Sequence, residues 1–215
     1  MRSTIVINVT KATISRLPGY LRYLRDRLEA GDEYISSTVI ADDMRLNPVQ
    51  VRKDLAVVSS LAGKPKKGFC IKELILDIER FLGYNNSSDA VLVGVGRLGH
   101  TLLCYEGFTN YGLNIVAGFD SDPEIIGTTF NGKPIFDVAD LKKTVKRLKI
   151  NIGIITVQKQ YAQKVADDMI DAGIKAIWNF APTHLKIPDG IAYKSEDMAA
   201  SLAILSDKLT KILRG

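Results

Sequence analysis

The chain has 215 residues, 46% of them hydrophobic and 25% charged, with a formal net charge of +5. That balance is too apolar for a disordered chain, and no apolar run approaches the roughly 18 residues that span a bilayer. Two cysteines and two histidines (Cys70, Cys104, His100, His184) exclude a disulfide framework and a zinc site, and make a reducing cytoplasm the expected compartment.

The N-terminal stretch is broken by Asn8, Thr10 and Lys11 and lacks the apolar core of a secretion signal. Residues 1–85 hold 14 basic and 10 acidic residues, whereas the remainder holds 15 and 14. The basic excess therefore lies in the first segment, as for a segment that meets a polyanion. A polar break at Tyr84-Asn85-Asn86-Ser87-Ser88 separates helically spaced apolar residues from alternating strand-like and helical runs.

Pro18 suits the first turn of a helix, followed by Leu21, Leu24 and Leu28 until Gly31. Ser36 and Ser37 can cap a second helix running to about Met44, and Asn47-Pro48 reads as the cap and first residue of a third, to about Ser59. Two short helices across a tight turn predict a helix-turn-helix, and Gly63 to Phe69, with three lysines, predicts a basic wing. On the third helix Val51, Leu55 and Val58 share the core side, while Gln50 and Lys53 face outward, flanked by Val49 and Arg52. Such side chains suit base edges and phosphates; a solvated helix face is the competing reading. The candidate DNA contacts are Ser36, Ser37, Asn47, Val49, Gln50, Arg52, Lys53, Lys64, Lys66 and Lys67.

The second segment opens with the strand Ala90-Val91-Leu92-Val93, which runs into Gly94-Val95-Gly96-Arg97-Leu98-Gly99 and a helix through Tyr105. The next strand, Ile115 to Phe119, ends on Asp120, which lies 21 residues past Gly99. Strand, glycine turn, helix and acid in this order form the dinucleotide fingerprint: glycines let the backbone approach a pyrophosphate and the acid bonds a ribose. A carboxylate there repels a 2′-phosphate, so NADH and NAD+ are expected rather than their phosphorylated forms. Further strands are predicted at Ile152–Val157 and Lys175–Asn179, around a helix from Tyr161 to Ala172. Thr156, Val157, Asn179 and Phe180, at the ends of those strands, complete the candidate cofactor set. Met198, Leu202, Leu205, Leu209 and Ile212 then recur at 4-3-4-3 spacing, a stripe suited either to a partner helix or to intrachain packing.

The predicted architecture is α/β: an N-terminal all-α, winged-helix domain over 1–85, a Rossmann domain over 86–196 and a C-terminal helix over 197–215. A small NAD-dependent oxidoreductase would need an acid or base; His184 is the only histidine that offers itself, since His100 sits inside the cofactor helix, and no Tyr-xxx-Lys spacing links Tyr105 to Lys159. A nucleotide sensor joined to a DNA-binding module accounts for both halves; no catalytic residue is expected.

The chain resembles the Rex redox-sensing transcriptional repressors in five segments: Ser15 to Leu24, Gln50 to Leu55, Gly94 to Gly99 with Tyr105 and Gly107-Phe108, Phe119 to Pro123, and Ala172 to Lys175 continuing through Asn179 to Pro182. The resemblance implies a homodimer with a C-terminal helix swapped onto the partner, bound to operator DNA, released by NADH and tolerant of NAD+. It also implies that Arg16, Tyr105 and Asp197 form the switch, with Asp197 on Arg16 in the DNA-binding form and on Tyr105 in the released form. Ile125 stands where the family often has Lys, Gln158 where it usually has Pro, and Val57 to Ala62 lacks the aromatic–glycine character common before the family's wing.

Overall fold

A computed structural model describes residues 9–60, 67–84 and 88–214. It divides the chain into two compact units, Met1–Asn86 and Ser87–Gly215.

In the first unit, α1 (Lys11–Glu29) starts seven residues before Pro18, capped by the Thr10 hydroxyl, which accepts from Thr13 N–H. Pro18 is therefore inside the helix, not in its first turn. An interior proline costs about 3 kcal/mol, and the apolar stripe offsets it: Leu17, Tyr20, Leu21 and Leu24 are all fully buried, each contributing about 1.5–3 kcal/mol. Then come β1 (Tyr34–Ile35), α2 (Ser37–Asp43), α3 (Pro48–Val58), β2 (Phe69–Cys70) and α4 (Ile71–Leu82). The predicted caps are in place, with Ser36 accepting from Val39 N–H and Asn47 from the N–H groups of Val49 and Gln50. The helix α4 is absent from the expectations above; Ile71, Leu74, Ile75 and Ile78 form its buried face. β1 and β2 pair antiparallel, so Phe69 of the predicted wing faces Ile35. Gly68 sits at φ +81°, and a Cβ there would run into the Ile35 carbonyl. The start of the wing, including Lys64 and Lys66, lies outside the described residues.

The second unit runs β3 (Ser88–Val93), α5 (Arg97–Cys104), a 3-10 turn (Glu106–Tyr111), β4 (Leu113–Asp120), β5 (Thr129–Phe130), β6 (Lys133–Asp137), α6 (Leu141–Leu148), β7 (Ile152–Ile155), α7 (Lys159–Ala172), β8 (Ala176–Asn179), β9 (Ala192–Ser195) and α8 (Met198–Arg214). Among the described residues these strands form one sheet in the order β5-β6-β4-β3-β7-β8-β9, parallel except for β5. Strand order reverses between β3 and β7, the place where open α/β sheets bind ligands. Side chains alternate between two cores: Val91 and Val93 face α6 and α7, while Ala90 and Leu92 face α5. Both faces being covered explains the unbroken apolar run of β3.

Candidate functional site

The glycine turn lies at the C-terminal end of β3. Gly94 adopts φ +97°, and a Cβ on it would come 2.7–2.9 Å from Val157 and Thr156. A Cβ on Gly99 would collide with the Gly94 carbonyl, so this glycine lets α5 pack against the turn. Gly96 is different: a Cβ there would meet nothing within 4 Å. The fold does not itself require Gly96, and the open space lies at the N-terminus of α5, where Gly96 supplies no side-chain cap. Amides at such a terminus suit an anion. Residues present and chemistry agree: a pyrophosphate fits here.

Asp120 ends β4 beside this turn. One carboxylate oxygen accepts from Val95 N–H at 2.6 Å, and the other from Ser121 and Asp122 N–H at 2.7 and 3.0 Å. Three of its four lone-pair sites are thus fixed, orienting the carboxylate with one acceptor site left. Val93, Gly94, Asp120, Ser121, Val138, Val157, Tyr161 and Lys164 line a cavity of about 310 Å³. The sequence singled out Gly94, Asp120 and Val157 but missed Val138, Tyr161 and Lys164, which come from neighbouring turns and α7. Arg97 and Leu98 are exposed in the first turn of α5, and Val95 is buried. The Thr156 hydroxyl turns to the back of the turn, 2.7 Å from the Gly94 carbonyl and 3.1 Å from that of Val93.

Asn179 is fully buried. Its amide nitrogen donates to the Ala181 and Thr183 carbonyls, both at 3.1 Å, and its oxygen accepts from Ala181 N–H at 3.0 Å. Its side chain therefore braces the loop after β8 rather than facing a ligand. Phe180 lines a second cavity of about 580 Å³ together with His184, Glu196 and Asp197. An aromatic row runs from Tyr105 through Phe108 and Trp178 to Phe180, with centroid separations of 4.9, 5.6 and 4.8 Å. Tyr105, half exposed at 53%, lies over Gly107, whose missing Cβ makes room for the ring. The contact between Phe108 and Trp178 escaped the sequence reading because the two rings lie 70 residues apart in the chain.

Asp197 accepts from Ala200 N–H at 3.1 Å and so caps α8. No residue of α8 is buried; Met198, Leu202, Leu205, Leu209 and Ile212 are 53–75% exposed, and Ile204 and Leu213 are exposed as well. Among the described residues none covers this stripe, against the intrachain-packing alternative.

On the first unit, Val51, Leu55 and Val58 of α3 are buried, and Val49, Gln50, Arg52 and Lys53 are exposed. Lys67 is exposed, its Nζ 5.5 Å from the Tyr34 ring centre. Ser36 and Asn47 use their side-chain oxygens as caps. Ser37 is buried in the first turn of α2, which removes it from the candidate contacts. Sequence reasoning missed Asp54, only 1% exposed on α3. It accepts Arg16 Nε at 2.7 Å and a terminal Arg16 nitrogen at 2.9 Å, the Tyr20 hydroxyl at 2.9 Å and Gln50 Nε2 at 2.9 Å. Burial pushes the Asp54 carboxyl up, but the bonds from Arg16, Tyr20, Gln50 and Thr13 outweigh it and hold the carboxyl below its ordinary value. Donating to Asp54 raises the Arg16 guanidinium in turn.

Among the described residues no cluster of His, Cys, Asp and Glu could hold a metal ion, and no helix is long and apolar enough to cross a membrane. His100 stacks edge-on against Phe130 at 4.6 Å.

Residues 85–183 match the family model described as "CoA binding domain", and residues 8–56 the one described as "Putative DNA-binding protein N-terminus". The redox-sensing transcriptional repressor Rex of Treponema denticola is 44% identical over 193 residues, covering 90% of this chain and 91% of that protein. RSP, a Rex-family repressor crystallised with β-NAD+ and operator DNA, superposes with a TM-score of 0.87 at 33% identity, covering 96% of this chain and 97% of RSP. Its complex with β-NADH gives 0.84 at the same identity, covering 95% of each chain. These relatives are repressors rather than dehydrogenases, and the chain belongs to the Rex family of redox-sensing transcriptional repressors.

Proposed function

We propose that the protein represses transcription in the cytoplasm by holding operator DNA as a homodimer, and that NADH at the glycine turn releases it. The observation that carries this reading is Gly96, a glycine the fold does not need, facing open space at the start of α5. The bound dinucleotide supplies the signal, because its nicotinamide ring is cationic when oxidised and neutral when reduced. Gly94, Gly96 and Gly99 bring the first amides of α5 against the pyrophosphate, flanked by Val95, Arg97 and Leu98. Asp120 offers its remaining acceptor site to a ribose hydroxyl and repels a 2′-phosphate. Val157 and Phe180 give the ring apolar surroundings, with Thr156 and Asn179 holding the turns on which they sit. Desolvating a neutral ring costs less than desolvating a cation, and only such differential affinity can shift the DNA-competent state.

Operator DNA is read by Val49, Gln50, Arg52 and Lys53, with Ser36, Asn47, Lys64, Lys66 and Lys67 toward phosphates. The unburied α8 exchanges onto a second copy, so two recognition helices meet a palindrome. Arg16, Tyr105 and Asp197 couple cofactor state to dimer geometry. Titration of operator binding with NADH and with NAD+ tests the reading.

A further inference from the structure

We propose that Asp54 is a positioning residue for base readout: it fixes the Gln50 amide so that α3 reads an adenine. The inference rests on the DNA-binding reading above and adds what determines specificity there.

Asp54 is 1% exposed, and the bonds its two oxygens accept include two from Arg16 and one each from Tyr20 and Gln50. A carboxylate has about four lone-pair sites, so these bonds fix its orientation. Two of the donors' owners, Arg16 and Tyr20, belong to α1, which anchors the carboxylate independently of α3. Gln50 stands one helical turn before Asp54 and is exposed, as the third residue of α3. An ionised carboxylate can only accept, which settles how the Gln50 amide is turned: Nε2 faces Asp54 at 2.9 Å. The amide oxygen and the second N–H of Nε2 then remain for a ligand. One acceptor beside one donor is the pair that meets adenine N6 and N7 in the major groove. Residues at the start of a recognition helix are those that reach base edges. A free glutamine would have to order its amide on binding, and this one is already ordered by a buried anchor.

The test uses the full-length protein and an operator selected with it from a randomised duplex pool. Each base pair of the half-site is changed in turn, and affinities are measured for wild type, Gln50→Ala, Asp54→Asn and the double variant. Gln50→Ala should lose roughly tenfold or more of discrimination at one adenine-containing pair. Asp54→Asn should lose it at that same pair, and the double variant should be no worse than either. The salt dependence of binding should stay the same in all four, since no phosphate contact is altered. A pool that yields no operator overturns the DNA-binding reading and this inference with it. An operator bound by Asp54→Asn with wild-type discrimination at that pair, or two losses that multiply, overturns the inference alone. Should Asp54→Asn fail to fold, the wild type still decides: the Gln50 side-chain amide, assigned by its absence in Gln50→Ala, should be as rigid as the backbone in 15N relaxation. A Gln50 amide as mobile as that of exposed Gln160 overturns the role.

Discussion

Arg16 and Asp54, 38 residues apart, form a two-pronged ion pair at 2.7 and 2.9 Å that ties α1 to α3. Asp54 is almost fully buried, and the Arg16 side chain keeps 27% of its exposure. Removing the cation therefore leaves an uncompensated buried charge. Arg16→Ala should destabilise the protein by about 2–3 kcal/mol, less than a wholly buried pair because Arg16 meets some water. Urea unfolding should show that Arg16→Ala with Asp54→Ala costs less than the sum of the single changes; additive losses would mean the pair is not coupled.

The same network sets a pH window. Burial, followed by the bond to Asp54, pushes the Tyr20 hydroxyl up to about 12. Tyr23 is also pushed up to about 12, by burial and its bond to Asp43. A raised folded value means stability that is complete below the ordinary tyrosine value of about 10 and is lost as pH rises toward 12. Asp54 works in the opposite sense: its lowered value gives stability above about pH 4 that is lost as acid titrates the carboxylate. Phenolate absorbance should show two tyrosines that ionise only toward pH 12, and Tyr20→Phe should remove one of them.

Gly96 and Gly99 should respond in opposite ways to a side chain. Gly96→Val has room in the fold, so its melting temperature should match wild type while NADH and NAD+ no longer bind. Gly99→Ala puts a Cβ into the Gly94 carbonyl and should destabilise the protein by about 1–3 kcal/mol. Calorimetric melting beside NADH titration separates the two; equal melting losses would mean that Gly96 is structural.

In the proposed function the unburied α8 carries the assembly. Deleting residues from Met198 onward should leave a monomer by sedimentation and remove most operator affinity, since one half-site alone gives part of the contacts. A truncated dimer would contradict the exchange. Asp197→Asn separates cap from switch: Asn caps about as well as Asp, so α8 should persist while DNA affinity or its response to NADH falls.

Local signals made much of this legible. Asn47-Pro48 marked the start of α3, and Gly94 to Gly99 with Asp120 marked the turn between β3, α5 and β4. Ile71, Leu74, Ile75 and Ile78 recur at helical spacing, so α4 was open to the same reading. Pro18 misled because burial of four neighbours overrides a local preference. Asp54 and Thr156 resisted for another reason: the direction of a polar side chain depends on partners that only the folded chain brings near. Arg16 lies 38 residues before Asp54, and the Gly94 carbonyl 62 before Thr156.

In the proposed function, dinucleotide redox state controls hold on DNA. This control is tested most directly by operator affinity measured with NADH and with NAD+ at equal concentration, over a range of each. NADH should weaken operator binding at concentrations where NAD+ leaves it largely unchanged, and Gly96→Val should abolish the difference. Equal effects of the two forms, or an NADH response that survives in Gly96→Val, would contradict it.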